Sequence, residues 1–174
     1  MRIFISTLFA AFIFLSFISC EKDDELNEIL GDVNIYLLDS YKSSGYGTIS
    51  KNSIVLKPEP LISYSEIISY NKDEYVFEIS ENAMQITKGE QIPAHGLPFA
   101  VTANKEIIYT GYFWSRISSA ICEAIIIELI VSEFDNSFNL SLKLGFPEDL
   151  VSVPDKRNDN RILNIFRRDN KLIQ

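Results

Sequence analysis

The sequence predicts an α+β fold, in which a mostly antiparallel sheet is covered by a few short helices and followed by a C-terminal helix. Segments rich in β-branched and aromatic residues recur along the 174-residue chain and indicate strands. Two pairs of these segments are joined by short turns, as in hairpins. A last segment has apolar residues at helical spacing. Strands with helices interspersed on one side are typical of the α+β class.

The first part of the chain predicts two strands and a helical turn. Residues 33–41 (VNIYLLDSY) are rich in β-branched and aromatic residues and predict the first strand. Residues 42–52 are dense in Ser and Gly and predict a loop. A short strand at Ile54–Lys57 is ended by prolines, which cannot donate to a sheet. Residues 63–70 predict one turn of helix.

The central part predicts a strand, a short helix and a hairpin. Residues 73–80 alternate between apolar and polar side chains, which indicates a strand. Ser80 or Asn82 is suited to begin a short helix directly afterwards. Residues 97–114 contain two β-rich runs on either side of Ala103–Lys105, and the asparagine in that turn tolerates positive φ.

The last part predicts a second hairpin and the C-terminal helix. Residues 124–134 (AIIIELIVSEF) are too continuously apolar for a strand with one solvated face, so we expect a central strand buried on both faces. Residues 137–146 alternate in polarity and are expected to pair with it. Asn158 or Asp159 can begin the final helix, which carries arginines toward its C-terminal end. Its apolar side is expected to contain Ile162, Ile165, Phe166 and Leu172.

The N-terminal residues have the features of a cleaved signal. A positively charged start precedes the apolar run Ile3–Phe17. These fifteen residues would rise about 22 Å as a helix, which is short of the roughly 30 Å hydrocarbon core of a bilayer. Ser19 then places a small residue directly before Cys20. This pattern resembles the lipobox of bacterial lipoproteins, so residues 1–19 are expected to be a lipoprotein signal peptide.

The lipobox resemblance implies how the protein is held at the membrane. Cys20 would receive a thioether-linked diacylglycerol, the signal would be cut before it, and the new amino group would be acylated. Each buried methylene contributes about 0.8 kcal/mol, and two or more acyl chains anchor a protein stably. The family prefers leucine where Phe17 stands. The alternative is a spare cysteine at the end of an uncleaved anchor.

Residues 20–30 are expected to be the lipidated cysteine and an acidic tether. The charged residues that follow the cysteine are Glu21, Lys22, Asp23 and Asp24. They resemble the lysine-plus-acidic export signal of surface-exposed lipoproteins of the Bacteroidota, which implies an outer-membrane location at the cell surface. The alternative is a plain solvated tether on a lipoprotein at the periplasmic face. Residues 31–174 are expected to form a single α+β domain.

Charge and cysteine content exclude several kinds of interaction. The formal net charge of −8 opposes nucleic-acid binding through the overall field of the protein. The sequence has two cysteines, and a lipid on Cys20 leaves Cys122 without a partner for an intramolecular disulfide. We expect Cys122 to be a small, half-buried apolar residue.

The stretch at 56–131 resembles a domain of a protein-export subunit. Its first part reads LKPEPLISYSEIISYNKDEYVFEISENAMQ, and GLPFAVTANKEIIYTGYF follows at 96–113. Together they are similar to the head of the first periplasmic domain of SecD and SecDF, with Phe99–Thr102 as one strand and Ile107–Tyr109 as the next. The resemblance implies a fold only. The export activity is not expected here, because that family's transmembrane helices are missing and TGYFWS replaces its small-residue and proline ending.

The sequence contains no recognisable catalytic or metal-binding set. His95 is the single histidine, and no GxSxG motif accompanies it. One histidine and Cys122 do not suffice for a standard zinc site. A catalytic pair of the two, as in thiol enzymes, is the alternative that the sequence leaves open. We therefore expect no enzyme activity, no metal and no cofactor. A hydrolase would have to use scattered carboxylates such as Glu66, Asp73, Glu78 and Glu123.

The segment YTGYFWS at 109–115 contains a candidate binding surface. Alternation along a strand places Tyr109 and Phe113 on one face and Tyr112 and Trp114 on the other. If the first pair packs inward, Tyr112 and Trp114 are expected to be exposed, as anchors for a protein or glycan partner. The alternative is burial on both faces.

These observations favour a lipid-anchored envelope lipoprotein that acts as a non-catalytic binding or accessory module. Its expected partners are the membrane, through the covalent lipid on Cys20, and a protein or glycan, with no nucleic acid. The alternatives are a carboxylate-based hydrolase and an inhibitor or immunity-type protein of the cell envelope.

Overall fold

The computed structural model describes residues 31–115, 117–131, 138–148 and 151–173. The predicted signal peptide at 1–19, the lipidated cysteine and the acidic tether at 20–30 lie outside the described residues, as does the turn of the second predicted hairpin.

The described residues form eleven strands, two α-helices and two short 3₁₀ helices. In chain order the strands are β1 (Val33–Ser40), β2 (Ser43–Ser44), β3 (Thr48–Ile49), β4 (Val55–Leu56), β5 (Ile67–Asn71), β6 (Val76–Ile79), β7 (Leu97–Ala103), β8 (Glu106–Phe113), β9 (Cys122–Val131), β10 (Phe138–Phe146) and β11 (Leu172–Ile173). The α-helices are α1 (Glu81–Gly89) and α2 (Asn160–Arg168), and the 3₁₀ helices are Lys51–Ser53 and Tyr64–Glu66.

Nine of the described strands make one sheet in the order β11-β5-β6-β10-β9-β8-β7-β1-β4, and β2 and β3 form a separate small hairpin. Neighbouring strands in the large sheet are antiparallel except for β11 with β5 and β8 with β9, which are parallel. This mostly antiparallel sheet with few helices confirms the predicted α+β class. The predicted pairing of β9 with β10 is also confirmed, with Leu140 opposite Leu129.

Both α-helices begin at residues that the sequence identifies. The Ser80 Oγ accepts a hydrogen bond from the Ala83 backbone N–H at 3.1 Å and caps α1. The Asp159 carboxylate accepts from the Arg161 backbone N–H at 3.0 Å and caps α2. The apolar side of α2 is buried through Ile162, Ile165 and Phe166.

The sheet has a hydrophobic cluster on each face. The larger cluster includes buried residues of both helices together with Ile125 and Ile127 of β9. Ile126, which alternates with them, belongs to the smaller cluster on the opposite face. The prediction that this segment is a central strand buried on both faces is therefore confirmed.

The structure corrects the sequence interpretation at four places. The predicted helical turn at 63–70 covers only Tyr64–Glu66, and the rest is β5, whose Ile67 and Tyr70 are buried in the larger cluster. The predicted strand at 73–80 starts later, because Tyr75 has a φ of 57° and lies in a turn. Leu172 belongs to β11 rather than to the last helix. The predicted loop at 42–52 also contains the β2–β3 hairpin.

Candidate functional site

A cavity of about 260 Å³ lies at the end of the sheet where β7 begins and β8 ends. The lining comes from three parts of the chain. They are the β2–β3 hairpin together with Tyr41, the loop ahead of β7, and the residues at the end of β8 and around the start of β9. The lining residues are Tyr41, Ser43, Gly45, Tyr46, Gly47, His95, Tyr112, Trp114, Ala120, Ile121 and Cys122. We call this cavity the hairpin pocket.

Tyr112 and Trp114 both line the hairpin pocket, but they are not exposed. Only 3% of Tyr112 and 4% of Trp114 are accessible to solvent. The expectation of an exposed aromatic surface is therefore wrong. The predicted alternation of faces is confirmed, because Tyr109 and Phe113 lie in the larger cluster and Tyr112 and Trp114 in the smaller one. The second face is covered as well, by the hairpin and loop that surround the pocket.

Local hydrogen bonds and one glycine hold the walls of the pocket together. The Glu123 backbone N–H donates to the Tyr46 carbonyl at 2.7 Å and joins the hairpin to β9. The Ser118 hydroxyl donates to the Ala94 carbonyl at 2.5 Å and joins the loop after β8 to the loop before β7. Gly96 has a φ of 86°, and a Cβ there would lie 2.7 Å from the Cβ of Tyr112. Only glycine lets this loop approach the aromatic side chains so closely.

Aromatic rings form much of the pocket. The rings of Tyr41 and Tyr112 meet edge to face, with centroids 6.5 Å apart and planes at 72°. The Trp114 indole packs on Phe146 with centroids 6.0 Å apart. Tyr46, on the hairpin, is 58% exposed. Buried rings therefore form one wall of the pocket, and an accessible ring lies at its rim.

The pocket is polar but has no charged side chain in its lining. Tyrosine and serine hydroxyls, the His95 imidazole and the Trp114 indole supply donors and acceptors, and none of the lining residues is Asp, Glu, Lys or Arg. Burial raises the pKa of the Tyr112 hydroxyl, with further contributions from its neighbours Tyr41 and Cys122, so this hydroxyl stays protonated. The buried Trp114 Nε1–H has no hydrogen-bond partner in the described part of the protein.

The sequence left open whether His95 and Cys122 could act as a pair. In the structure both residues line the hairpin pocket. Cys122 is 1% exposed, and burial raises the pKa of its thiol. A protonated, buried thiol is a weak nucleophile. No hydrogen bond joins Cys122 to the exposed His95 among the described contacts. Cys122 was expected to be half-buried, but it is fully buried, because the β2–β3 hairpin covers it.

The scattered carboxylates interact with separate partners. Glu66 accepts hydrogen bonds from the Ser80 hydroxyl and from the Asn82 amide, the latter at 3.1 Å. Glu78 accepts from the Ser69 hydroxyl at 2.9 Å. Asp73 pairs with Lys72 at 2.9 Å. The fourth carboxylate, Glu123, lines a different cavity.

That second cavity, of about 290 Å³, lies beside the first halves of β8 and β9. These two strands pair only over Gly111–Phe113 and Ile125–Ile127. The second cavity has an apolar floor that includes Ile108 and Ile125, and lysines at its edge. It shares no lining residue with the hairpin pocket.

Three pocket residues were missed by sequence reasoning. Ser43 and Tyr46 fall within the segment that the sequence identifies as a loop, and Tyr41 is the last residue of the predicted first strand. The one local signal is the GYG at 45–47, where a large aromatic residue stands between two glycines. That pattern indicates a tyrosine presented at a tight turn, although not what it faces.

Across the described ranges, no three or more His, Cys, Asp or Glu side chains come together in a group that could hold a metal ion. Within the same residues, no helix has the length and apolar character needed to cross a membrane. Comparison with known proteins gives no further assignment: no protein-family model matches the chain, and no curated protein or solved structure shows significant similarity to it.

Proposed function

We propose that the protein is a lipid-anchored lipoprotein of the cell envelope that acts as a non-catalytic binding module, and that the hairpin pocket is its ligand site. The observation that carries the proposal is the aromatic lining of a cavity open to solvent. Ligand pockets are typically concave and mostly apolar, with a few polar groups that orient the ligand. The hairpin pocket is concave and combines aromatic rings with several tyrosine and serine hydroxyls, although its lining is more polar than is typical.

The anchor rests on the sequence at the N-terminus. The apolar run that ends in Ser19 and Cys20 has the order of elements found in lipoprotein signals. A triacylated Cys20 would hold the protein at the outer membrane without a spanning helix. The acidic residues from Glu21 to Asp24 support a location at the cell surface, and without export the same anchor would leave the domain at the periplasmic face.

The non-catalytic role is supported by the chemistry of the residues that could react. The Cys122 thiol is buried and protonated, and the carboxylates of Glu66 and Glu78 accept hydrogen bonds from neighbouring side chains. General acid–base catalysis requires groups positioned around a common substrate atom. The similarity of residues 56–131 to the SecD head remains a prediction about fold and supplies no activity.

Lipid attachment is tested by labelling cells with a fatty-acid analogue. We expect Cys20→Ala to abolish labelling, because the thiol that carries the diacylglycerol is gone. Cys122→Ala is the matched control, since it removes the other cysteine and should leave labelling intact. Equal labelling of the Cys20→Ala variant and the wild type would refute the anchor.

The same cells test the location of the domain. Replacing Lys22, Asp23 and Asp24 by alanine should leave the protein lipidated but protected from protease added to intact cells. If protease removes the variant and the wild type equally, these residues are a spacer, and surface export is not encoded by them.

A further inference from the structure

We propose that the hairpin pocket binds a neutral saccharide ring, such as the terminal sugar of a glycan. The inference rests on the proposed function and specifies its ligand. It is argued from the shape of the rings, the kind of polar groups, the absence of charge in the lining and the volume of the cavity.

The aromatic rings fit a ligand with an apolar face. Saccharide rings carry their C–H groups on flat faces and their hydroxyls around the edge. Tyr46 is accessible at the rim, while Tyr112 and Trp114 form a fixed wall. Tyrosine and tryptophan combine a large contact area with a polar end, which suits a ligand that is apolar on its faces and polar at its edge.

The polar groups of the pocket match the edge of such a ring. The hydroxyls of Tyr41, Ser43 and Tyr46 can each donate and accept, and so can a sugar hydroxyl. Burial keeps the Tyr112 hydroxyl protonated, and this hydroxyl interacts with the side chains of Tyr41 and Ser43.

The lining favours a neutral ligand over an anionic one. Because none of the lining residues is Lys or Arg, an anion carried into the pocket would lose its hydration without gaining a partner of that kind. The formal net charge of −8 further disfavours anions. Phosphates and carboxylates, which need arginine, lysine or a helix N-terminus, are therefore poor candidates.

The volume sets the size of the ligand. At about 260 Å³ the pocket lies at the small end of ligand sites, which run from roughly 300 Å³ upwards. A single ring fits such a space. Because the cavity opens to solvent, the remainder of a glycan chain could extend outward from the bound ring.

The single tryptophan of the chain provides a direct readout, because it lines the pocket. The full-length lipoprotein is purified in a detergent whose headgroup is not a sugar, and tryptophan fluorescence is followed during titration with glucose, galactose, mannose and N-acetylglucosamine. We expect at least one of them to shift the emission saturably. Glucuronate, matched to glucose but ionised, is expected to bind about tenfold more weakly or worse.

Variants test whether the response comes from the pocket. Tyr46→Ala removes an exposed ring and should weaken binding of the saccharide about tenfold or more while the protein stays folded. Tyr36→Ala is the matched control, because Tyr36 is a half-buried tyrosine of β1 that lines neither cavity. An equal loss in both variants would overturn the assignment of the site.

Titration with a panel of neutral blocked dipeptides distinguishes failure of the saccharide inference from failure of the proposed ligand site. If dipeptides shift the emission and no saccharide does, the pocket is a ligand site and the saccharide inference is overturned. If neither class shifts it, the hairpin pocket is no small-ligand site, and both the inference and the ligand site of the proposed function fail. Binding of glucuronate as tight as glucose would overturn the preference for a neutral ring.

Discussion

Tyr70 and Tyr109 show how two buried tyrosines of one cluster differ in the environment of their hydroxyls. The Tyr70 hydroxyl donates to the side-chain oxygen of Asn158 at 2.9 Å and lies 3.2 Å from the Arg157 carbonyl. The Tyr109 hydroxyl is buried and has no hydrogen-bond partner among the described residues. Burying a hydroxyl without a partner costs free energy, whereas a satisfied one contributes modestly.

The two tyrosines therefore predict opposite effects of removing a hydroxyl. Tyr70→Phe should lower the free energy of unfolding by about 1 kcal/mol, because it leaves the Asn158 oxygen without its donor. Tyr109→Phe should leave stability unchanged or raise it by up to about 1 kcal/mol, because it removes an unsatisfied group. Urea unfolding of both variants measures the difference. A loss of more than about 1 kcal/mol in Tyr109→Phe would mean that its hydroxyl is hydrogen-bonded.

At the scale of the element, the parallel pair of β8 and β9 depends on one residue without a side chain. Gly111 lies opposite Ile125, and a Cβ at this glycine would stand 1.9 Å from the Ile125 carbonyl oxygen. A backbone oxygen in a paired strand cannot move aside in the way that the end of a flexible side chain can. The two strands can approach to pairing distance only because this position is glycine.

Gly111→Ala is accordingly expected to destabilise the protein by about 3 kcal/mol or more, by forcing β8 and β9 apart. Gly89→Ala is the matched control, because a Cβ at the end of α1 meets nothing within 4 Å. That substitution should be neutral or stabilising by about 0.5–1 kcal/mol. Thermal unfolding of the two variants gives the comparison, and equal melting temperatures would show that the strands tolerate the added methyl group.

Elements with a strong local pattern could be predicted, whereas those defined by distant partners could not. The β7–β8 hairpin and the start of α2 are fixed by nearby residues, since the turn has Asn104 and Lys105 at positive φ and the helix has an aspartate cap. β11, by contrast, is two residues long and exists because it pairs with β5, about a hundred residues earlier. Nothing in so short a segment indicates that pairing.

The candidate site was predictable only in part, because some of its features depend on contacts between distant parts of the chain. Alternation along β8 assigned Tyr112 and Trp114 to one face, and that assignment is confirmed. Their burial depends on the hairpin around Tyr46 and on the loop that contains Ser118, which are far apart in the sequence. A local pattern identifies which face a side chain is on, but coverage of that face is a property of the tertiary fold.

At the scale of the whole molecule, the C-terminal segment carries acid–arginine pairs that make stability depend on pH. The Arg161 guanidinium donates to both oxygens of Asp159 at 2.9 Å, and this holds the pKa of the aspartate at about 2. Asp155 pairs with Arg157 in the same way, and its pKa is also lowered. Since the folded state binds these protons more weakly than the unfolded state, the pairs stabilise the protein fully above the ordinary aspartate pKa of about 3.9 and lose that effect as pH falls to about 2.

Asp159→Asn isolates this effect, because asparagine keeps the side-chain oxygen that caps α2 and removes the titrating charge. We expect a lower melting temperature than wild type at neutral pH and a smaller fall between about pH 5 and about pH 2. Asp159→Ala, which also loses the cap, should be less stable than Asp159→Asn at every pH. Parallel acid profiles for Asp159→Asn and wild type would show that this pair does not contribute to acid sensitivity.

The described chain enters the sheet at the end opposite the hairpin pocket. Val33 pairs with Ala103 beside the turn of the β7–β8 hairpin, so the domain begins at that end. From there the eight residues of β1 run roughly 25 Å, at about 3.3 Å per residue, to the end where Tyr41 lines the pocket. Under the proposed anchor, the tether from Cys20 would therefore join the domain at the end of β1 that lies away from the pocket. That arrangement would leave the pocket clear of the point where the tether is attached, so a ligand could enter without displacing the tether.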